Sequence, residues 1–147
     1  MGRRHCLLGL VCSITLLSQT LLVAQGPNSP RVKAIVEKGI TFLEGDLTGY
    51  DQMKTTGGPV IVGLAVYKYH DVYGVSGGKN HPKVVKAKTN AVDIAKTVAN
   101  PTYNGEKKYY ELGIAAILLL EVDPDGYRPQ IAALIKAIED GQKKNGS

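Results

Sequence analysis

The apolar positions of this chain fall into five segments with helical spacing, separated by turns rich in Gly, Pro, Asn and Asp. The first, from about Arg31 to Glu44, repeats Val32, Ile35, Val36, Ile40 and Leu43 at three- and four-residue steps, which places them on one side of a helix. Pro30 suits its first turn and Gly45 its exit. The second, from about Gly58 to Tyr73, is apolar nearly all round (Val60, Ile61, Val62, Leu64, Ala65, Val66, Tyr67) and is expected to be buried on most sides. Gly74-Val75-Ser76-Gly77-Gly78-Lys79-Asn80 reads as a loop. A third helix opens at His81-Pro82, with proline in a favoured first-turn position, and runs to about Val98 on Val84, Val85, Ala87, Ala91, Ile94, Ala95 and Val98. The fourth, from about Lys108 to Val122, carries Leu112, Ile114, Ala115, Ala116, Ile117, Leu118, Leu119 and Leu120, and Asp123-Pro124-Asp125-Gly126 stops it. Tyr127-Arg128-Pro129 opens the fifth, amphipathic through Ile131, Leu134, Ile135 and Ile138 to about Gln142.

Amphipathic helices therefore alternate with nearly all-apolar ones, and the alternation has a period. Gly63-Leu64-Ala65-Val66 and Gly113-Ile114-Ala115-Ala116 stand 50 residues apart, and Pro82 and Pro129 stand 47 apart. A repeat of that length, made of one helix pair, is the signature of a solenoid or closed ring. Apolar helices would face neighbours on both sides, with amphipathic ones covering them. Gly63 and Gly113 each lower helix propensity by about 1 kcal/mol relative to Ala, so both are expected where two helices approach closely. Short runs such as Val60–Val66 or Ile117–Val122 also fit strands, but segment length and alanine content favour helix. The expected fold is all-α: antiparallel helical hairpins in a toroid-like or solenoid arc.

The N-terminus changes the picture of compartment. Arg3 and Arg4 precede an apolar stretch from Leu7 to Val23, and Ala24-Gln25-Gly26 offers small residues at a cleavage site, the layout of a secretory signal peptide. An uncleaved anchor is the rival reading, but Ser13, Thr15, Ser18, Gln19 and Thr20 dilute the stretch, and Gly26, Pro27 and Pro30 follow it. We expect residues 1–26 to be a signal peptide and 27–147 one helical repeat domain, exported and without stable membrane insertion after cleavage. Both cysteines, Cys6 and Cys12, lie in the removed segment, so the remainder can form no disulfide and offers no thiolate. Without Arg3 and Arg4, sixteen basic residues face thirteen acidic ones, a net charge of +3. The lysines are scattered, with only Lys107-Lys108 and Lys143-Lys144 adjacent, and nucleic-acid binding is not expected.

The helical repeats resemble the α/α-toroid proteins: squalene and terpenoid cyclases, prenyltransferase β subunits and related repeat proteins. The cyclases repeat a motif of a basic residue, a small one, two of any kind, an aromatic, an aliphatic, and then Gln, Gly and Trp. Lys38-Gly39-Ile40-Thr41-Phe42-Leu43 fits its first half, and Gln142-Lys143-Lys144-Asn145-Gly146-Ser147 fits Q-x-x-x-G-x of its second, ending where the Trp would stand. No single repeat holds the whole motif, and the chain has no Trp. The resemblance covers about residues 31 to 147. It implies five or six hairpins in a full ring, against about two and a half here, and so an N-terminal portion or a short divergent member. It also implies a terminal helix face that a next repeat would cover.

The chemistry such a family performs finds little support in these residues. The cyclase acid motif Asp-x-Asp-Asp is absent, and Asp123-Pro124-Asp125, the nearest sequence, reads as a solvated turn. The resemblance to prenyltransferases implies zinc held by Asp, Cys and His. After signal removal no Cys remains, and His70 and His81 stand eleven apart across the glycine loop as helix-end residues, so neither a metal nor a cofactor is expected. Gly74-Val75-Ser76-Gly77-Gly78 matches the nucleophile-elbow pattern, but a helix rather than a strand precedes it. The thioester of complement-type toroids would need a cysteine. What remains is a set of tyrosines, Tyr67, Tyr69, Tyr73, Tyr103, Tyr109 and Tyr110. If helices two and four lie side by side, Tyr67, Tyr69, Tyr73, Tyr109 and Tyr110 are the candidates to line one rim of a cleft for an apolar, saccharide or peptide ligand. Ordinary packing with hydroxyls reaching water is the other reading. The expected function is an exported, non-catalytic repeat scaffold or binding domain. The alternative is the N-terminal part of a toroid enzyme, terpenoid cyclase-like or polysaccharide-cleaving, with its catalytic residues outside this chain.

Overall fold

A computed structural model describes residues 26, 28–45, 57–98 and 108–142. The expected signal peptide, the turn at Asn100–Gly105 with Tyr103, and the second motif half beyond Gln142 lie outside the described residues. Within them the chain is all-helical. It forms α1 (Pro30–Glu44), α2 (Gly57–Val72), a 3₁₀ turn (Gly78–Asn80), α3 (Pro82–Thr97), α4 (Lys108–Val122) and α5 (Arg128–Gly141), with no strand among the described residues. No described helix is long and apolar enough to cross a membrane.

The boundaries follow from local chemistry. Pro30, Pro82 and Pro129 stand in first turns, where a missing N–H costs no hydrogen bond. His81 caps α3, its Nδ1 accepting from the Lys83 amide at 3.3 Å. Asp123 Oδ1 accepts from the Gly126 amide at 3.0 Å and folds the turn that separates α4 from α5. Gly74 and Gly77 take the left-handed backbone (φ 66° and 84°) that lets the loop after α2 reverse within a few residues.

The chain divides into two units, Met1–Lys33 and Ala34–Ser147. In the first, the Ser29 hydroxyl accepts from the Val32 amide at 3.3 Å and starts α1. In the second, α2 and α3 form an antiparallel hairpin, with Gly63 against Ala87 midway and His70 beside His81 at the loop end. Helices α4 and α5 form another, with the Tyr109 hydroxyl donating to the Gly141 carbonyl at 3.5 Å. One core joins them, in which Val60, Val66, Val84, Ile94, Leu112, Leu118, Leu119 and Leu134 are fully buried. From α1, Ile40 is buried and Leu43 packs on that core.

The apolar helices α2 and α4 lie side by side and run in the same direction. The Gly57 amide donates to Glu111 Oε1 (3.4 Å) at one end, and at the other the Tyr67 hydroxyl donates to the Glu121 carbonyl (3.0 Å) and Lys68 Nζ to Glu121 Oε2 (3.1 Å). These pairs are 53 or 54 residues apart, about one turn more than the 50-residue spacing of the two Gly-rich segments. Gly113 is therefore not level with Gly63. Gly63 sits at a close approach, as its sequence context suggests, whereas a Cβ on Gly113 would meet nothing within 4 Å. The expected burial of the apolar helices is also incomplete. On α4, Tyr110, Ile117 and Leu120 are each about half exposed and, with Gly113, form a stripe along one side.

Candidate functional site

The ends of three helices bring Glu44, His70 and His81 together. Glu44 is the last residue of α1, His70 lies in the last turn of α2, and His81 caps α3. Glu44 Oε1 stands 3.2 Å from His81 Nε2 and 3.9 Å from His70 Nε2. The two imidazole centroids are 5.5 Å apart. One ligand-type atom from each residue lies within 4.8 Å of the other two. The imidazoles are the more enclosed members and the carboxylate faces solvent.

The histidine rings are held from behind by backbone. His70 Nδ1 is 3.2 Å from the Val75 carbonyl and 3.3 Å from the Ser76 carbonyl. Both partners only accept, so Nδ1–H donates to them and Nε2 is the ring nitrogen turned towards Glu44. Gly78 presses on the same ring: a Cβ there would stand 2.7 Å from His70 Cβ. His81 has the opposite tautomer, because its Nδ1 accepts from the Lys83 amide and its Nε2–H then donates to Glu44. Lys83 Nζ donates to the Gly45 carbonyl at 3.3 Å, tying the end of α1 to the start of α3. Tyr69 packs edge-on to His70, with centroids 5.7 Å apart, and burial raises its phenol above the ordinary range, with the charges of Glu37 and Glu44 adding to the effect.

Sequence spacing treats His70 and His81 as separate helix ends. Their eleven-residue separation is nonetheless the length of one hairpin reversal, which sets the last turn of one helix beside the cap of the next. Glu44 carries no comparable signal. It reaches the pair because Leu43 packs α1 on the core and Lys83 binds the Gly45 carbonyl at its end.

The five candidate tyrosines are divided by the parallel arrangement. Tyr69 and Tyr73 stack near the end of α2, with centroids 5.2 Å apart. Tyr67, at the same end, is buried and spends its hydroxyl on the Glu121 carbonyl. Tyr109 and Tyr110 begin α4 and are level with the start of α2, where Gly57 meets Glu111. Ten residues of helix at 1.5 Å each separate the two groups by about 15 Å, so the five do not share one rim. Glu121 also holds the Lys68 ammonium above its ordinary pKa, by its hydrogen bond first and its charge next.

Two further motifs take structural roles. Ser76 of the G-x-S-x-G pattern lies between α2 and the 3₁₀ turn rather than after a strand. Asp123 and Asp125 serve the turn after α4, Asp125 pairing with Arg128 at 2.6 Å on the exposed surface. No protein-family model, curated protein or solved structure matches the chain.

Proposed function

We propose that this chain is an exported, non-catalytic helical-repeat scaffold arranged as an arc of a partial α/α toroid, and that the uncovered side of α4 receives a second copy of the chain. The observation that carries this reading is the parallel pairing of α2 with α4, offset by 53–54 residues. Side-by-side parallel inner helices, each backed by an antiparallel partner, are how a two-layer repeat array propagates.

The same geometry favours the α4 stripe as the next contact. Each residue advances about 100° round a helix. On α2, the side facing α4 (Gly57, Tyr67, Lys68) lies roughly a quarter-turn on from Gly63, which faces α3. A similar step round α4, from the side packed on α5, leads to Gly113, Ile117 and Leu120. At the other edge of the array, α1 exposes Ile35 and Phe42 on either side of Gly39, where a Cβ would meet nothing. One copy thus carries two apolar helix faces, each with a glycine in its middle. A head-to-tail contact between them is heterologous and builds a ring or a chain.

Sedimentation of the purified chain tests the reading. Mass should rise with concentration, and Ile117→Asp with Leu120→Asp, or Phe42→Asp alone, should leave a helical monomer. A wild-type chain that stays monomeric, or association that both variants retain, overturns it. Uptake of an apolar dye by a monomer, lost in the α4 variant, would mark that face as a small-ligand surface instead and equally overturn docking of a second copy.

A further inference from the structure

We propose that Glu44 Oε1, His70 Nε2 and His81 Nε2 form a three-ligand site for a first-row divalent cation, with Zn²⁺ as the fitting case. The inference is independent of how copies of the chain associate.

Donor type and spacing argue for it together. Two imidazoles and one carboxylate are a nitrogen-and-oxygen set suited to zinc, and three protein ligands leave a fourth position open. Zinc binds such atoms at about 2.0–2.1 Å, which in a tetrahedron sets neighbouring ligand atoms about 3.4 Å apart. The edges from Glu44 Oε1 to the two imidazoles, 3.2 and 3.9 Å, fall on either side of that value, and the ligand atoms all lie within 4.8 Å of one another.

His70 carries the strongest mark. Its Nδ1–H is committed to two backbone carbonyls, which leaves Nε2 as the ring nitrogen turned towards the Glu44 carboxylate. A metal ligand has this same backing, with the second ring nitrogen donating to a carbonyl that fixes tautomer and orientation. The loop from Gly74 to Asn80 supplies it, and Gly78 lies close against the base of the His70 side chain.

His81 must change to join. Its Nε2 proton leaves to solvent, a proton is taken up at Nδ1, and the long 3.3 Å bond from the Lys83 amide is given up. No net proton is exchanged in that shift. Binding therefore has a signature that a plain Glu–His hydrogen bond lacks.

The full-length chain, stripped by chelator and titrated with ZnCl₂, should take up one ion by calorimetry. Long-range ¹⁵N–¹H spectra should show His81 passing from the Nε2–H to the Nδ1–H form while His70 keeps its own, and exchange at the Lys83 amide should quicken. His81→Asn, which preserves a cap, Glu44→Gln and His70→Gln should each weaken uptake by at least about tenfold with helical circular dichroism unchanged. Absence of stoichiometric uptake overturns the site. So does uptake that all three variants retain, which would place the ion elsewhere in the chain.

Discussion

Gly63 of α2 meets Ala87 of α3 so closely that a Cβ on the glycine would collide with the alanine methyl, and would stand 2.9 Å from the Lys83 carbonyl. Neither neighbour is a flexible side-chain end that can swing aside. The glycine is what allows the α2–α3 hairpin to close at its midpoint.

This contact makes two identical substitutions act with opposite sign. Gly63→Ala gains about 1 kcal/mol of helix propensity but overpacks a rigid contact, and should destabilise by a net of about 1–3 kcal/mol. Gly113→Ala has open space around the new methyl and should stabilise by about 0.5–1 kcal/mol. Urea denaturation of both variants beside the parent chain measures the pair. Equal signs would refute the packing difference.

The α2–α4 pairing is tested at Tyr67. Its ring is buried and its hydroxyl donates to the Glu121 carbonyl. Tyr67→Phe keeps the ring and removes one partly buried hydrogen bond, so stability should fall by about 1 kcal/mol. A thermal melt indistinguishable from that of the parent would mean the bond contributes nothing.

Helix α1 should be the first described helix to open. From Ala34 onward it buries only Ile40 and packs Leu43 on the core, whereas α2 and α4 contribute buried residues along their length. Native-state hydrogen exchange should show residues 34–44 exchanging well before α2–α5, because protection follows buried contact. If α1 exchanges only with global unfolding, its attachment is stronger than its burial implies.

The helix borders were legible in the sequence because they rest on local chemistry. Pro30, Pro82 and Pro129 fix starts, and Asp123 and the glycine loop fix turns, each through its own backbone. That α2 and α4 need neighbours on most sides was legible too, since both are apolar nearly all round. Register was not. Gly63 and Gly113 look alike in sequence, but the lateral offset is set by contacts such as Tyr67 with Glu121, about a turn away from the 50-residue spacing. The placement of the tyrosines was illegible for the same reason: residue type says nothing about which end of a neighbouring helix is level with them. Glu44 was invisible because its place depends on how α1 docks, which Ile40 and Leu43 decide together with surfaces distant in sequence.

The parallel pairing of α2 with α4 also imposes a sequence of events on folding. Its bonds join residues more than fifty apart, so the loop they close is long, while each hairpin closes over a short turn. Short closures lose less chain entropy and come first, and helical proteins dominated by such local contacts fold in about microseconds to milliseconds. The two hairpins are then the early units, and the meeting of Tyr67 with Glu121 is the late step that commits the chain to its native form.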